Sequence, residues 1–144
     1  MSMFSAFDVT ASGLTAQMDV ISENVANANT TRTEDGTPYR RKIVTFQQKG
    51  QQQTFSQVLH NVSSSYTGSG VKVSQISEDT TTEMNMVYDP SHPDADENGY
   101  VTYPNVNIVQ EMTDLIDASR SYEANSTAFG ASKSMALKGL EIGQ

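Results

Sequence analysis

Residues 94–99, Asp-Ala-Asp-Glu-Asn-Gly, carry carboxylates at alternate positions and a glycine at the sixth. That is the opening half of a calcium loop, and it would suit a hard, oxygen-seeking cation. The twelfth position is Asn105, where a bidentate Glu is expected, and no helical pattern precedes the stretch. It therefore reads as a tight acidic turn feeding a strand at Tyr100. The two imidazoles are His60 and His92. Neither sits in a His-Glu-x-x-His helix, and the sequence holds no Gly-x-Ser-x-Gly elbow and no glycine-rich phosphate loop ahead of a lysine. His92, between Ser91 and Pro93 with Asp89 and Asp94 nearby, reads as a turn histidine. A metal-dependent enzyme built on Asp94, Asp96 and His92 would be stabilised by calcium or zinc, and no such stabilisation is expected. With no Cys in the chain, disulfides, thiolate metal sites and cysteine nucleophiles are excluded. No catalytic residue, metal ligand set or cofactor emerges.

The residues that could bind are of other kinds. Arg40-Arg41-Lys42 is the one basic run. It suits either an acidic partner face or, as the favoured reading, an edge strand guarded by charge against stray pairing. Tyr39 and Tyr122 are large groups with a polar tip, suited to anchoring an interface or to packing a core. Residues 23–31, Glu-Asn-Val-Ala-Asn-Ala-Asn-Thr-Thr, are the hardest to set aside. Asn is a poor helix former, and three of them in the closing turns of a helix suggest amides with defined partners at its exit.

Two amphipathic segments must position these groups. Phe7, Ala11, Leu14, Met18, Ile21, Val25 and Ala28 repeat at alternating spacings of four and three. This is a narrow coiled-coil-type seam. Ser5 with Asp8 three residues on marks a helix start. Near the other end, Asn107 is an N-cap with Gln110 at the third helical position. The same rhythm then runs through Ile108, Met112, Leu115, Ser119, Tyr122, Ser126, Phe129, Lys133, Ala136 and Leu140. Small polar seam residues favour close approach and more than one partner helix. Between the segments, residues 40–46, 55–62, 71–76, 84–88 and 100–103 read as short strands, and 34–38, 47–53 and 63–70 as turns or mobile loops.

Composition says how such a chain must live. Its 144 residues hold 5 Leu, 6 Ile, 12 Val and 5 Phe, fewer than the 51 polar uncharged Ser, Thr, Asn and Gln. Little surface can be buried against an ordering cost of about 1–2 kcal/mol per residue. The chain is thus expected either to be partly unfolded alone or to complete its core with a partner. A net charge of −8 argues against nucleic acid. No apolar run approaches the roughly 20 residues that span a bilayer, and the start lacks the basic and apolar regions of a cleaved signal peptide.

The stretch Ser22 to Thr30 resembles the N-terminal signature of bacterial flagellar basal-body rod and other axial proteins, matching its Asn-x-Ala-Asn core at Asn24, Ala26 and Asn27. Residues 88–96, 99–101 and 103–106, then 118–125 and 133–135, are similar to the proximal-rod branch of that family. Members carry about one more helical turn between Ala16-Gln17 and Met18-Asp19-Val20, so the first helix here is shorter by roughly 5 Å, with its seam unbroken. The resemblance implies a structural subunit, exported by the flagellar type III apparatus without a cleaved signal and polymerised into the rod crossing the periplasm and cell wall. Its implied partners are other copies, neighbouring rod subunits and the rod–membrane-ring adaptor. No catalysis or cofactor is implied.

The expected fold is α+β. An N-terminal helix (1–31) and a C-terminal helix (105–144) pair as an antiparallel coiled coil around a small β-rich middle module (32–104). Both seams are expected to be assembly interfaces, completed by neighbours in an open array. The alternative is a soluble coiled-coil adaptor that forms a closed oligomer, which sedimentation separates from open-ended association. Weak amide-exchange protection of 3–29 and 108–140 in the isolated chain, rising on assembly, is the signature expected of the rod subunit.

Overall fold

The computed structural model describes residues 3–48 and 70–142. The strand expected at 55–62, most of the two polar loops beside it, and His60 lie outside the described residues. Helix α1 spans Met3–Ala26, strands β1 and β2 span Lys42–Gln48 and Val71–Glu78, β3 and β4 span Asn85–Tyr88 and Tyr100–Tyr103, and helix α2 spans Ile108–Ile142. The α+β class expected from the sequence is observed.

The first helix begins two residues before Ser5, which lies inside the first turn rather than capping it. It stops at Ala26 because the Asn-rich exit turns the chain. The amide of Asn27 donates to the carbonyl of Glu23 at 3.0 Å, and the Thr30 backbone N–H to the Asn27 carbonyl at 3.0 Å. Ala28 sits beyond the helix yet is buried. The second helix starts as expected at Asn107, whose Oδ1 accepts the backbone N–H groups of Val109 (3.1 Å) and Gln110 (3.3 Å). That satisfies two otherwise orphaned donors. The Gln110 side chain donates forward to Asp114 at 2.9 Å.

Strands β1 and β2 pair antiparallel from Lys42↔Glu78 to Gln48↔Val71, with a bulge where Thr45 faces Gln75 and Phe46 faces Val73. The run expected to be a loop from Gln47 onward thus begins as strand. A second antiparallel pair joins β3 to β4 from Asn85↔Tyr103 to Tyr88↔Tyr100. The helices lie antiparallel: the rings of Phe7 and Phe129 meet edge-on at 6.0 Å, and Asn24 bonds Glu111. Helix α1 is the middle layer, packed on α2 at one side and on the β1–β2 hairpin at the other.

Close approach of helix and hairpin needs glycine at two places. A Cβ on Gly13 would lie 3.3 Å from the Val71 carbonyl oxygen, and one on Gly70 would lie 2.6 Å from that of Ala6. Gly70 also has φ +80°, a region costly to residues with a Cβ. Gly70→Ala is expected to destabilise the chain by about 1–3 kcal/mol, read as a lower urea midpoint with unchanged slope.

Candidate assembly site

The buried centre of the molecule is polar. Asn24, in the last full turn of α1, is 1% exposed and uses all four hydrogen-bonding positions of its amide. Its Nδ2 donates to the Lys42 carbonyl (2.9 Å) and to Glu111 Oε2 (3.0 Å). Its Oδ1 accepts the Tyr39 hydroxyl (3.0 Å) and the Lys42 backbone N–H (2.9 Å). Glu111, on the first turns of α2 and also 1% exposed, accepts Arg41 Nε at 2.6 Å on its other oxygen. The same guanidinium reaches Asp114 at 3.7 Å and Asp79 at 4.0 Å. Asn105 closes the knot. Its Oδ1 accepts the Arg41 backbone N–H at 2.8 Å, and its Nδ2 donates to the carbonyls of Asp79 (3.0 Å) and Thr82 (3.1 Å). One knot thus ties both helices to the first strand and to the Asp79 turn. No buried side-chain polar atom among the described residues lacks a partner, as a polar core must arrange if it is not to cost stability.

The electrostatics follow from that arrangement. Hydroxyls of Thr82 and Thr81, then their backbone N–H groups, hold the Asp79 carboxyl well below the usual carboxylate range. Burial pushes the Tyr39 phenol up to about 12, with Glu23, Glu111 and Glu78 adding to the rise. A raised tyrosine value means that the folded state favours the protonated phenol. Its contribution is therefore complete below the ordinary value of 10.0 and is lost as the pH climbs from there to about 12. Relative to Tyr39→Phe, the unaltered protein is expected to be more stable at pH 8, with the difference shrinking between pH 10 and 12; urea unfolding of both proteins across that range checks it.

The basic run is corrected by this geometry. Arg41 and Lys42 do not guard an edge toward solvent. Arg41 serves the knot, and the Lys42 ammonium pairs with Glu23. Tyr39 is 8% exposed and belongs to the core. Tyr122 is 39% exposed beside Phe7 and Ala11. In the acidic turn, Asp94 accepts the Thr31 hydroxyl (2.8 Å) and sits 3.6 Å from Arg32, while Asp96 accepts the backbone N–H groups of Asn98 and Tyr100. Its carboxylates thus serve the chain's own turn, and no group of three metal-binding side chains is found among the described residues.

The first seam is brought together. Ile21 and Ala28 are buried, and Phe7, Ala11, Leu14, Met18 and Val25 are partly so. On α2 the least exposed row is instead Glu111, Leu115, Ala118, Tyr122, Asn125, Phe129 and Ser132. It shares three members with the expected seam and leaves Ile108, Met112, Ser126, Lys133, Ala136 and Leu140 exposed, with Ser119 half-buried. The reason is polar. Glu111 must meet Asn24, and the Asn125 amide donates to the Phe7 carbonyl at 3.1 Å, so hydrogen bonds set the rotation of the helix. A count of apolar spacing overlooks these positions. Of the signature residues, Asn24 is the centre of the knot and Asn27 binds the helix end, while the Ala26 side chain is exposed.

Comparison with known proteins bears directly on this geometry. The family described as "Flagella basal body rod protein" matches residues 7–32, and that described as "Flagellar basal body rod FlgEFG protein C-terminal" matches residues 97–142. Over the whole of both chains, the sequence is 49% identical to the flagellar basal-body rod protein FlgC of Bacillus subtilis. The chain belongs to the FlgC family. It is also 44% identical to the FlgC of Borreliella burgdorferi over 99% of this chain and 98% of that one. With the FlgC of Salmonella typhimurium the identity is 41% over the full length of both. The two family matches cover α1 with its Asn-rich exit and α2 with the strand before it, and so carry Asn24, Asn105 and Glu111. Arg41 and Asp79 lie between the two matches.

Proposed function

We propose that this chain is a structural subunit of the bacterial flagellar basal-body rod, in its proximal part. Residues 1–31 and 105–144 form the rod layer and 32–104 an outer module. The terminal helices pack with those of neighbours, coiled-coil fashion, into a tube that transmits torque and encloses the export channel. Its partners are other copies, adjoining rod subunits and the rod–membrane-ring adaptor, and it reaches the rod through the flagellar type III apparatus without a cleaved signal. It does no catalysis and holds no cofactor. Full-length similarity to FlgC proteins carries this reading. The structure supports it with a helix whose flank is apolar and uncovered: Val109, Met112 and Ile116 are 74%, 54% and 54% exposed. A lone molecule leaves that surface in water, whereas an array buries it. A closed adaptor is not favoured by these relatives.

Deletion of the gene in its own host is expected to abolish swimming and to leave basal bodies without a complete rod, both restored by the intact chain. Cells that swim normally without it would refute the proposal.

A further inference from the structure

Each helix brings one set of side chains to a hollow where the two meet. On α1 these include Phe7 and Asp8, and on α2 Tyr122, Asn125, Ser126 and Phe129, whose spacing of three and four residues keeps them on one face. Antiparallel packing closes both sets around a volume of about 170 Å³. The Phe7 and Phe129 rings stand at 73° to each other and line it as two sides of a corner, and Tyr122, 39% exposed, adds a third ring. The Asn125 amide spends its Nδ2 on the Phe7 carbonyl at 3.1 Å, which leaves Oδ1 as an acceptor. Asp8, also in the lining, is exposed and makes no hydrogen bond or ion pair among the described residues. No cation answers it: α1 carries no Lys or Arg, and Arg120 and Lys133 of α2 stand outside the lining.

Negative potential dominates such a hollow. Aromatic faces attract a cation through their quadrupole, and the Asp8 carboxylate adds a full charge. An anion would meet repulsion, and a neutral apolar group would gain nothing from Asp8 or from Asn125 Oδ1. A quaternary ammonium has no N–H to give these acceptors. We propose that the hollow receives a primary alkylammonium, the end of a lysine side chain on a different protein with a basic surface. Its N–H groups donate to Asp8 and to Asn125 Oδ1, and its apolar stem lies against Ala11 and the rings. The net charge of −8 makes a basic partner the complementary one and sets copies of this chain against each other. The inference goes beyond the rod reading and does not depend on it.

Nuclear magnetic resonance of the full chain, read at the aromatic rings, tests this with three probes. Nα-acetyl-lysine amide carries the ammonium, its norleucine counterpart carries the same stem without it, and tetramethylammonium carries the charge without N–H groups. The Phe7, Tyr122 and Phe129 signals are expected to shift saturably with the lysine probe, at least tenfold more tightly than with either of the others. Asp8→Asn, at an exposed position, is expected to keep the backbone spectrum of the folded chain and to weaken the lysine probe severalfold. Lys133→Gln is expected to leave that affinity unchanged. Equal binding of the norleucine probe would reduce the site to an apolar hollow, and equal binding of tetramethylammonium would remove the role of the acceptors. No saturable shift, or an unaltered affinity in Asp8→Asn, would overturn the site itself. A severalfold gain in Lys133→Gln would make the chain's own lysine the occupant, and ring shifts on concentrating the chain alone would make it a second copy; either overturns the proposed partner.

Discussion

Asn24→Leu is expected to lower the stability of the chain by about 3–5 kcal/mol. Leucine is close in size but offers neither donors nor acceptors. The substitution strips partners from Glu111 Oε2, the Tyr39 hydroxyl and both backbone groups of Lys42 in one step. Glu111 is the costliest of these, because Oε2 of a carboxyl group 1% exposed loses its hydrogen-bond donor where water cannot replace it. Domains of this kind hold about 5–15 kcal/mol in all, so a large share is removed at one residue. Urea unfolding followed by circular dichroism measures it. A loss below about 1 kcal/mol would mean that the amide is not the centre of the knot.

Ile21→Asp is the second large effect. Ile21 is 5% exposed on the seam of α1. Its loss removes about 1.5–3 kcal/mol of apolar burial, and the new carboxylate must be desolvated at a position that is buried in the folded chain. The isolated chain is expected to lose helix pairing, and cells carrying the variant not to swim. Leu14→Asp separates folding from assembly, because Leu14 is only partly buried within one copy. It is expected to leave the isolated chain folded, with an intact urea transition, and still to abolish swimming if the seam is completed by neighbours. Normal swimming with Leu14→Asp would remove that role from the seam.

How far the sequence led depends on the kind of interaction. Both helices, the Asn107 cap and four strands were legible, because periodicity and capping chemistry are local. The first seam was legible in part, because its seven positions are apolar and at least half-buried, whereas Asn24, the most buried side chain of α1, lies off that spacing. The rotation of α2 was not, because Glu111 and Asn125 face inward as hydrogen-bonding groups 87 and 118 residues away from their partners. The same holds for Arg41, whose carboxylate partners lie on other elements. The sequence did offer one signal for the knot: three asparagines where a helix would prefer other residues. Asn24 and Asn27 both have defined partners, Asn24 in the knot and Asn27 at the helix end.

The central claim is that one copy leaves α2 incomplete and that assembly covers it. Amide hydrogen exchange in the isolated chain and in purified basal bodies tests this most directly. The weak protection expected from the sequence over all of 3–29 and 108–140 narrows to the end of α2, because Asn24 and Ala118 are buried within one copy. In the isolated chain, backbone amides near those two residues are expected to be protected, while those over 133–141 exchange fast. In the assembled rod, protection over 133–141 is expected to rise at least a hundredfold. Equal protection of that stretch in both states would contradict the account.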